Sequence, residues 1–447
     1  MMTGALLPAV RANGVPDDAV AFVAGGRTWS RADLFAAVDE LAGQLPPDRP
    51  VALRPADPAT AVVATLACDA LGLPAVHVDP ALPEPPPLTT VTDQGVRPAT
   101  GEVTGHADPP PGSHTFLTSG STGVPVGVVR SGDAVVADGR RIAAFLGYGP
   151  DRPVLNATPL FHVYGFNYGL VGPLLAGAPV TFAPSRSVPS QLGRAVARSG
   201  AVTLIALPFH YGLLAGKALP DGFEGLRQAV SAGAPLADGV VATIAAAGAF
   251  TLFNCYGSSE AGAITLGRLT GDEPPGTVGR PLPGVRFRVD PRVGPDGTGE
   301  LLLRSDSLAL GRLGPEGVRP LPGEDGWFRT GDLVHPPGPD QVLQLAGRVS
   351  ALINVAGEKV YPGDVERALA AHPAVAEAHV FAAPDPSRGQ VPAALVVLRT
   401  PEPIEDLVGW CRDKLAAHQV PRSITVVAEL PRSATGKVVA GRNDGRS

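Results

Sequence analysis

The segment Thr118-Ser-Gly-Ser-Thr-Gly-Val-Pro-Val-Gly127 alternates small hydroxyl residues with glycines directly after the apolar pair Phe116-Leu117. Such a loop turns several backbone N–H groups and hydroxyls toward one anion, as phosphate-cradling loops do. The Gly-Lys-Ser/Thr ending of a Walker A loop is absent. A flexible Ser/Gly linker is the competing reading, but the strand-like residues before the loop and Pro125 after it favour a fixed turn. Only four lysines occur, Lys217, Lys359, Lys414 and Lys437, and the other 32 basic residues are arginine. A lysine kept in such a chain raises the question of what arginine could not do there, since an ammonium is a movable point charge and a guanidinium a rigid fork.

The elements that must position this loop follow from length and pattern. At 447 residues, 44% hydrophobic and 17% charged, the chain has room for one large and one small domain and is not globally disordered. A net charge of −6 argues against nucleic acid as a general partner, because that binding rests on a basic face. No apolar run approaches the roughly 20 residues of a membrane span, so no membrane association is expected. The first residues, 1–13, lack the apolar core of a secretory signal. Cys68, Cys255 and Cys411 lie far apart and suggest neither a zinc site nor a disulfide framework, in keeping with a reducing cytoplasm.

Ser30-Arg-Ala-Asp33 reads as a capping box opening a helix with Leu34, Val38, Leu41 and Leu45 at helical spacing. A helix is expected over 61–71, a buried strand over 74–78, and a loop over the Pro-, Thr- and Gly-rich stretch 80–112. Apolar strands at 154–157, 180–183, 202–207 and 250–253 alternate with alanine-rich helices, which predicts an α/β fold with mainly parallel sheets. A strand at 299–304 suggests a small β subdomain. Residues 362–371, 376–382, 393–398, 404–417 and 423–427 read helix, strand, strand, helix, strand, a small α+β domain. The expected division is residues 1–347 and 348–447.

Five segments in order resemble the signatures of the adenylate-forming superfamily, which includes acyl- and aryl-CoA synthetases, peptide-synthetase adenylation domains and firefly-type luciferases. They are the 118–127 loop, Asn254-Cys-Tyr-Gly-Ser-Ser-Glu260, Trp327-Phe-Arg-Thr-Gly-Asp332, Gly347-Arg348 running on to Glu366, and Leu430-Pro-Arg-Ser-Ala-Thr-Gly-Lys437. The motifs look closest to ligases of the 4-coumarate–CoA type. This resemblance implies ATP- and Mg²⁺-dependent activation of a carboxylic acid as its adenylate, with release of pyrophosphate. Transfer to the thiol of CoA or of a carrier-protein phosphopantetheine would follow, after rotation of a mobile C-terminal domain.

The resemblance also implies roles. Thr118, Ser119, Gly120, Ser121, Thr122 and Gly123 would hold phosphates. Lys437 would bridge the substrate carboxylate and the phosphate, Ser259 would reach the α-phosphate, and Glu260 would hold Mg²⁺. Asp332 and Arg348 would contact ribose or phosphate. Asn254, Tyr256, Gly257 and the Gly233-Ala234-Pro235 turn would surround adenine. Gly357 would leave room for pantetheine. Pro159-Leu-Phe-His-Val-Tyr-Gly-Phe166 resembles the segment that gates the acid pocket. His162 is the candidate gate, and Tyr164, Asn167, Phe209, Tyr211, Ala232 and Cys255 are candidate pocket residues. No carboxylate stands near His162 to pair with an α-ammonium, so an aryl, cinnamate-like or short acyl acid is expected rather than an α-amino acid.

Two positions depart from the resembled motifs. Val126 stands where the loop usually carries lysine, and Ser350 where the hinge usually carries Asp or Lys. Two other readings stand beside the thioester ligase, the second of them suggested by these departures. In one, the adenylate passes to a non-thiol nucleophile, including activation of nitrite for diazotisation of an aryl amine. In the other, the chain is a non-catalytic nucleotide-binding relative.

Overall fold

The computed structural model describes residues 4–82, 88–99, 108–119, 125–234, 236, 239–248, 250–274, 276–293, 297–314, 316–356, 358–431 and 438. By internal contacts the chain forms two compact units. The first comprises residues 1–273, 279–286 and 304–328; the second comprises 274–278, 287–303 and 329–447. The second unit thus takes in strands on both sides of the 347/348 division read from sequence.

Two eight-stranded sheets build the first unit. One runs Gly262–Leu269, Thr251–Ser258, Gln228–Ala232, Thr203–Ala206, Val154–Asn156, Val180–Phe182, Val20–Ala24 and Arg27–Ser30. Its centre is parallel and only the two edge strands are antiparallel. The period of two separates the faces of its strands. Leu155, Leu204, Ala229 and Leu252 pack with Leu192, Val196 and Ile244 on one side. Val154, Ile205, Val230 and Cys255 pack with Ile142, Tyr148 and Tyr168 on the other. Both faces are covered, as a parallel sheet requires.

The other sheet runs Gly317–Arg319, Gly311–Gly314, Pro125–Ser131, Ser113–Ser119, Ala75–His77, Val51–Leu53, Thr89–Thr92 and Gly95–Arg97. It is mixed: four central strands are parallel, and antiparallel strands flank them. The expectation of mainly parallel sheets therefore holds for the first sheet and is corrected for this one. The expected loop over 80–112 is also corrected, because Thr89–Thr92 and Gly95–Arg97 form a hairpin. Thr and Val at 89–92 have the β-branched side chains that suit a pleated, half-buried surface, and Asp93-Gln94 supply the turn.

Helix starts follow the expected chemistry. Ser30 and Asp33 form the reciprocal capping box of the helix Arg31–Ala42. Asp57 caps Pro58–Leu71, and Ser131 caps Gly132–Leu146; each such cap contributes about 1 kcal/mol.

The second unit holds a sheet ordered Thr277–Gly279, Leu343–Arg348, Trp327–Val334, Gly299–Arg304 and Arg286–Asp290. It also holds the α+β fold of the C-terminal segment. There, Glu358–Val360, Ile353–Val355, Gly389–Leu398 and Val375–Asp385 pair antiparallel, and Ser423–Val426 joins Gly389–Leu398 in parallel. Helices Pro362–Ala370 and Ile404–Lys414 bury Val365, Leu369, Leu407 and Cys411 in its core. Among the described residues no helix is long and apolar enough to cross a membrane.

One buried cluster crosses the first unit's layers. Asp138, on the helix Gly132–Leu146, accepts from Arg130 Nη2 at 3.1 Å, from the backbone N–H of Ala263 at 3.1 Å and from the side-chain amide of Asn167. Both partners of the Arg130–Asp138 pair have no exposed side-chain surface. Breaking a buried pair from one side strands the other charge, at about 3–5 kcal/mol. Asp138→Ala should therefore lose stability on that scale in chemical unfolding, with Asp138→Asn losing less. A loss below about 1 kcal/mol for the alanine variant would contradict this role.

Candidate active site

In a parallel sheet the strands deliver their C-terminal ends to one edge, where ligands commonly bind. Four adjacent strands, Val154–Asn156, Thr203–Ala206, Gln228–Ala232 and Thr251–Ser258, bring the sequence-selected segments to that edge. Ser231 lies opposite Asn254 and Ala232 opposite Cys255.

After the first of these strands, Asn156 accepts from the backbone N–H of Thr158 at 2.9 Å and shapes the turn that follows. His162 then stands extended at the N-terminus of the short helix Val163–Phe166. The fold-back depends on Gly165, where a Cβ would lie 2.2 Å from the carbonyl oxygen of Pro159. Burial pushes the His162 imidazole down from 6.5 to about 4, with Asp79 acting the other way. Its Nε2 is buried and has no hydrogen-bond partner among the described residues, and the same is true of Ser231 Oγ. Buried polar atoms of this kind call for an explanation, and a ligand is one.

The other pocket candidates divide. The Tyr164 hydroxyl sits 3.1 Å from the carbonyl oxygen of Ala206 and 2.7 Å from that of Val230, tying neighbouring strands together. Tyr211 likewise donates to Val230 O at 2.9 Å. Asn167 opens a π-helical turn, Asn167–Val171, and gives its amide to Asp138. Cys255 Sγ lies 2.8 Å from the Tyr168 hydroxyl, and burial pushes its thiol up to about 12. The hydroxyls of Tyr164 and Tyr211, the thiol of Cys255 and the amide nitrogen of Asn167 are thus engaged with the protein interior, whereas Asn167 Oδ1 is buried with no hydrogen-bond partner among the described residues. Ala232 is buried, whereas Phe209, on the helix Pro208–Gly212, is 44% exposed.

Beyond them, Gly233 adopts a left-handed φ of 94° and is exposed, with Ala234 half-buried after it. Asn254 and Tyr256 lie on the strand Thr251–Ser258, with Tyr256 almost fully buried. At Gly257 a Cβ would stand 2.3 Å from Gly262 O, so the intervening turn is drawn tight. Ser258 Oγ accepts from Ala261 N at 3.1 Å across it. This turn carries Ser259 and Glu260, both half-buried.

Glu260 is held from the second sheet. Its carbonyl accepts from Ala309 N at 2.7 Å, and its Oε1 receives Arg312 Nε at 3.1 Å and Nη2 at 2.7 Å. Arg312 lies opposite Val128 on the strand Pro125–Ser131 that follows the Ser/Thr/Gly loop. One arginine therefore fastens Glu260 beside the loop strand. Thr118 and Ser119 end the preceding strand, paired with Val126 and Pro125. Gly120, Ser121, Thr122, Gly123, Pro235, Gly357 and Lys437 lie outside the described residues.

In the second unit, Asp332 pairs with Arg348 across neighbouring strands, Oδ1 to Nε at 2.7 Å. The turn before Asp332 is clamped. Thr330 Oγ1 donates to Leu301 O at 2.8 Å and accepts from Asp332 N at 3.0 Å, and Gly331 N donates to Glu300 Oε1 at 3.1 Å. Arg329 in turn bridges Glu300 and Asp290. Ser350 is exposed on the single turn Val349–Ala351.

Arg312, Glu300 and Arg329 were not selected from the sequence. Each acts through a partner 29 to 52 residues away, and no local spacing marks such pairs. Among the described residues no group of three or more His, Cys, Asp or Glu side chains could hold a metal unaided. Glu260 has one oxygen, Oε2, outside the arginine contact. This suits a hard cation that brings phosphate oxygens with it, as Mg²⁺ does.

Comparison with known proteins gives a consistent result. The profile described as AMP-binding enzyme matches residues 102–312, and that described as AMP-binding enzyme C-terminal domain matches 364–437. Sulfoacetate–CoA ligase of Cupriavidus necator is 32% identical over 368 residues, 79% of this chain and 72% of that protein. The 2-succinylbenzoate–CoA ligase of Bacillus velezensis is 31% identical over 332 residues, 73% of this chain and 67% of that one. In fold, the ATP-bound MatB of Rhodopseudomonas palustris superposes with a TM-score of 0.82 at 24% identity, over 98% of this chain and 97% of that chain.

The state of His162 is directly measurable. Its folded pKa of about 4 lies below the ordinary 6.5. The unfolded chain therefore takes up this proton first as pH falls, and the stability present above pH 6.5 is withdrawn between about 6.5 and 4. Imidazole resonances assigned through a His162→Gln variant should stay those of the neutral ring from pH 8 to 5.5. A midpoint near 6.5 would contradict the burial assigned to it.

Proposed function

Since the chain belongs to the AMP-binding enzyme family, we propose that it activates a carboxylic acid with ATP and Mg²⁺ as the acyl adenylate and then forms a thioester with CoA. The observation that carries this is the joining of Glu260 to the strand after the Ser/Thr/Gly loop through Arg312. It joins a carboxylate to the strand that follows the Ser/Thr/Gly segment, which supports a metal role for Glu260 and a phosphate role for that segment.

In the first step a substrate carboxylate oxygen attacks the α-phosphorus, and the bond to pyrophosphate breaks. In the second, a thiolate attacks the acyl carbon and AMP leaves. Both steps concentrate negative charge, so positioning and electrostatic stabilisation are the protein's task. Hydroxyls and N–H groups of 118–123 would receive the phosphates, and Ser259 the α-phosphate. Mg²⁺ on Glu260 would neutralise charge on phosphate oxygens. Asp332, oriented by Arg348, would accept from the ribose hydroxyls; Asn254, Tyr256, Gly257 and residues 233–235 would flank adenine. Lys437 would carry its charge to the reacting carboxylate.

His162 is neutral at physiological pH by the burial described above, so it presents a hydrogen-bonding imidazole rather than a charge to the acid. The proposed acid is aryl, cinnamate-like or short acyl; the relatives named for sulfoacetate and 2-succinylbenzoate support a small anionic acid. The proposal includes an adenylate-forming domain over 1–347 and a mobile domain over 348–447. An acyl carrier protein in place of CoA, and action in the cytoplasm, belong to the same proposal.

The test is ATP- and Mg²⁺-dependent pyrophosphate release over a panel of such acids, with and without CoA, beside Lys437→Ala. Acid-dependent release is expected, with a fall of two orders of magnitude or more in the variant and CoA required for thioester. Release independent of every acid, or equal in the variant, would contradict the proposal.

A further inference from the structure

The loop strands contain no usable cation. Between Thr118 and Val129 there is neither lysine nor arginine, and the next residue, Arg130, is fully buried on Asp138. ATP nevertheless brings several negative charges, more than one divalent cation balances.

Positive charge does reach this place, from the next strands of the same sheet. Arg312 lies directly opposite Val128, and Arg319 directly opposite Arg312. Directly opposed residues share a face, and residues two apart on a strand share it too. The side chain of position 126 therefore projects on the face that carries Arg312, at the diagonal separation of about 7–8 Å typical of such neighbours. Arg319, exposed on that same face, repels Arg312 and favours its contact with an anion. That anion is Glu260, whose side chain is 15% exposed while that of Arg312 is 47% exposed. The guanidinium therefore has the solvent access to exchange partners.

We propose that Arg312 is the mobile cation of the nucleotide site: it pairs with Glu260 when no nucleotide is bound, and turns to the polyphosphate when Glu260 is taken up by Mg²⁺. This rests on the nucleotide reading given above. The exchange conserves charge pairing throughout. Glu260 trades an arginine for a divalent cation, and the arginine trades a carboxylate for a phosphate, which accepts its planar fork equally well. The pair would keep Glu260 in place beforehand and supply the loop's missing charge afterwards.

Binding of a fluorescent ATP analogue to the full chain, with and without Mg²⁺, tests this separately from turnover. Arg312→Gln should weaken binding about tenfold or more and raise KM for ATP without changing KM for the acid. Arg312→Lys should fall between, and adding Val126→Lys to Arg312→Gln should restore much of the loss. In Glu260→Gln the freed arginine should tighten Mg²⁺-free binding several-fold, and that gain should vanish in the double variant. A merely structural arginine would not produce this gain. Thermal unfolding should be nearly unchanged, because Arg312 is half-exposed. Unaltered binding in Arg312→Gln, or a gain in Glu260→Gln that survives loss of Arg312, overturns the assignment while leaving the nucleotide reading intact. No ATP binding by the unaltered chain overturns both.

Discussion

Arg312 and Glu260 join two sheets whose strands do not otherwise share a hydrogen-bond ladder. Glu260 stands on a turn at the end of the parallel sheet, drawn tight by Gly257 and Gly262. Arg312 stands on an antiparallel strand added to the sheet that carries the phosphate-type loop. The same turn is also tied by backbone, since Ala309 N donates to Glu260 O and Leu310 N to Val129 O, so the arginine adds a side-chain tie that fixes the carboxylate itself. Gly262 also shows how closely the parts are fitted, since a Cβ there would meet Asp138 at 2.2 Å. Thus the buried Arg130–Asp138 pair and the exposed Arg312–Glu260 pair flank one short turn, the first fixing its base and the second its tip.

Charge economy explains the contrast between those two arginines. Arg130 is sealed with Asp138, and exchanging its partner would leave a charge in a low-dielectric interior. Arg312 keeps half its surface in water, where changing partners is cheap. Near-identical chemistry on two neighbouring strands of one sheet is therefore rigid in one place and exchangeable in the other. The proposed acid pocket shows the same contrast: hydroxyls of Tyr164 and Tyr211 close on backbone carbonyls, while His162 Nε2, Asn167 Oδ1 and Ser231 Oγ are buried without a hydrogen-bond partner among the described residues.

Local rules made much of this readable beforehand. The Ser30–Asp33 capping box, the strands near 154, 180, 203 and 251, and the helix–strand order of 362–426 all follow from side-chain period and cap chemistry confined to a few residues. The motif segments were likewise contiguous, so Glu260, Asp332 and Arg348 could be singled out. The hairpin at 89–97 was hidden by the Pro- and Gly-rich residues around it. Arg312 and Arg329 were hidden for a different reason: their meaning lies in partners fixed only by sheet register, and one arginine among 32 carries no local mark. Asn167 and Cys255 were placed by analogy along the chain, whereas the Asn167 amide nitrogen turns to Asp138 and the Cys255 thiol to Tyr168 inside the core.

The central claim is that this chain forms a bond between a carboxylate oxygen and the α-phosphorus of ATP. Turnover of an acid labelled with ¹⁸O in both carboxylate oxygens tests that bond itself. Mass spectrometry of the products should find one ¹⁸O atom in AMP and none in pyrophosphate. Label-free AMP, or label in pyrophosphate or inorganic phosphate, would contradict the account.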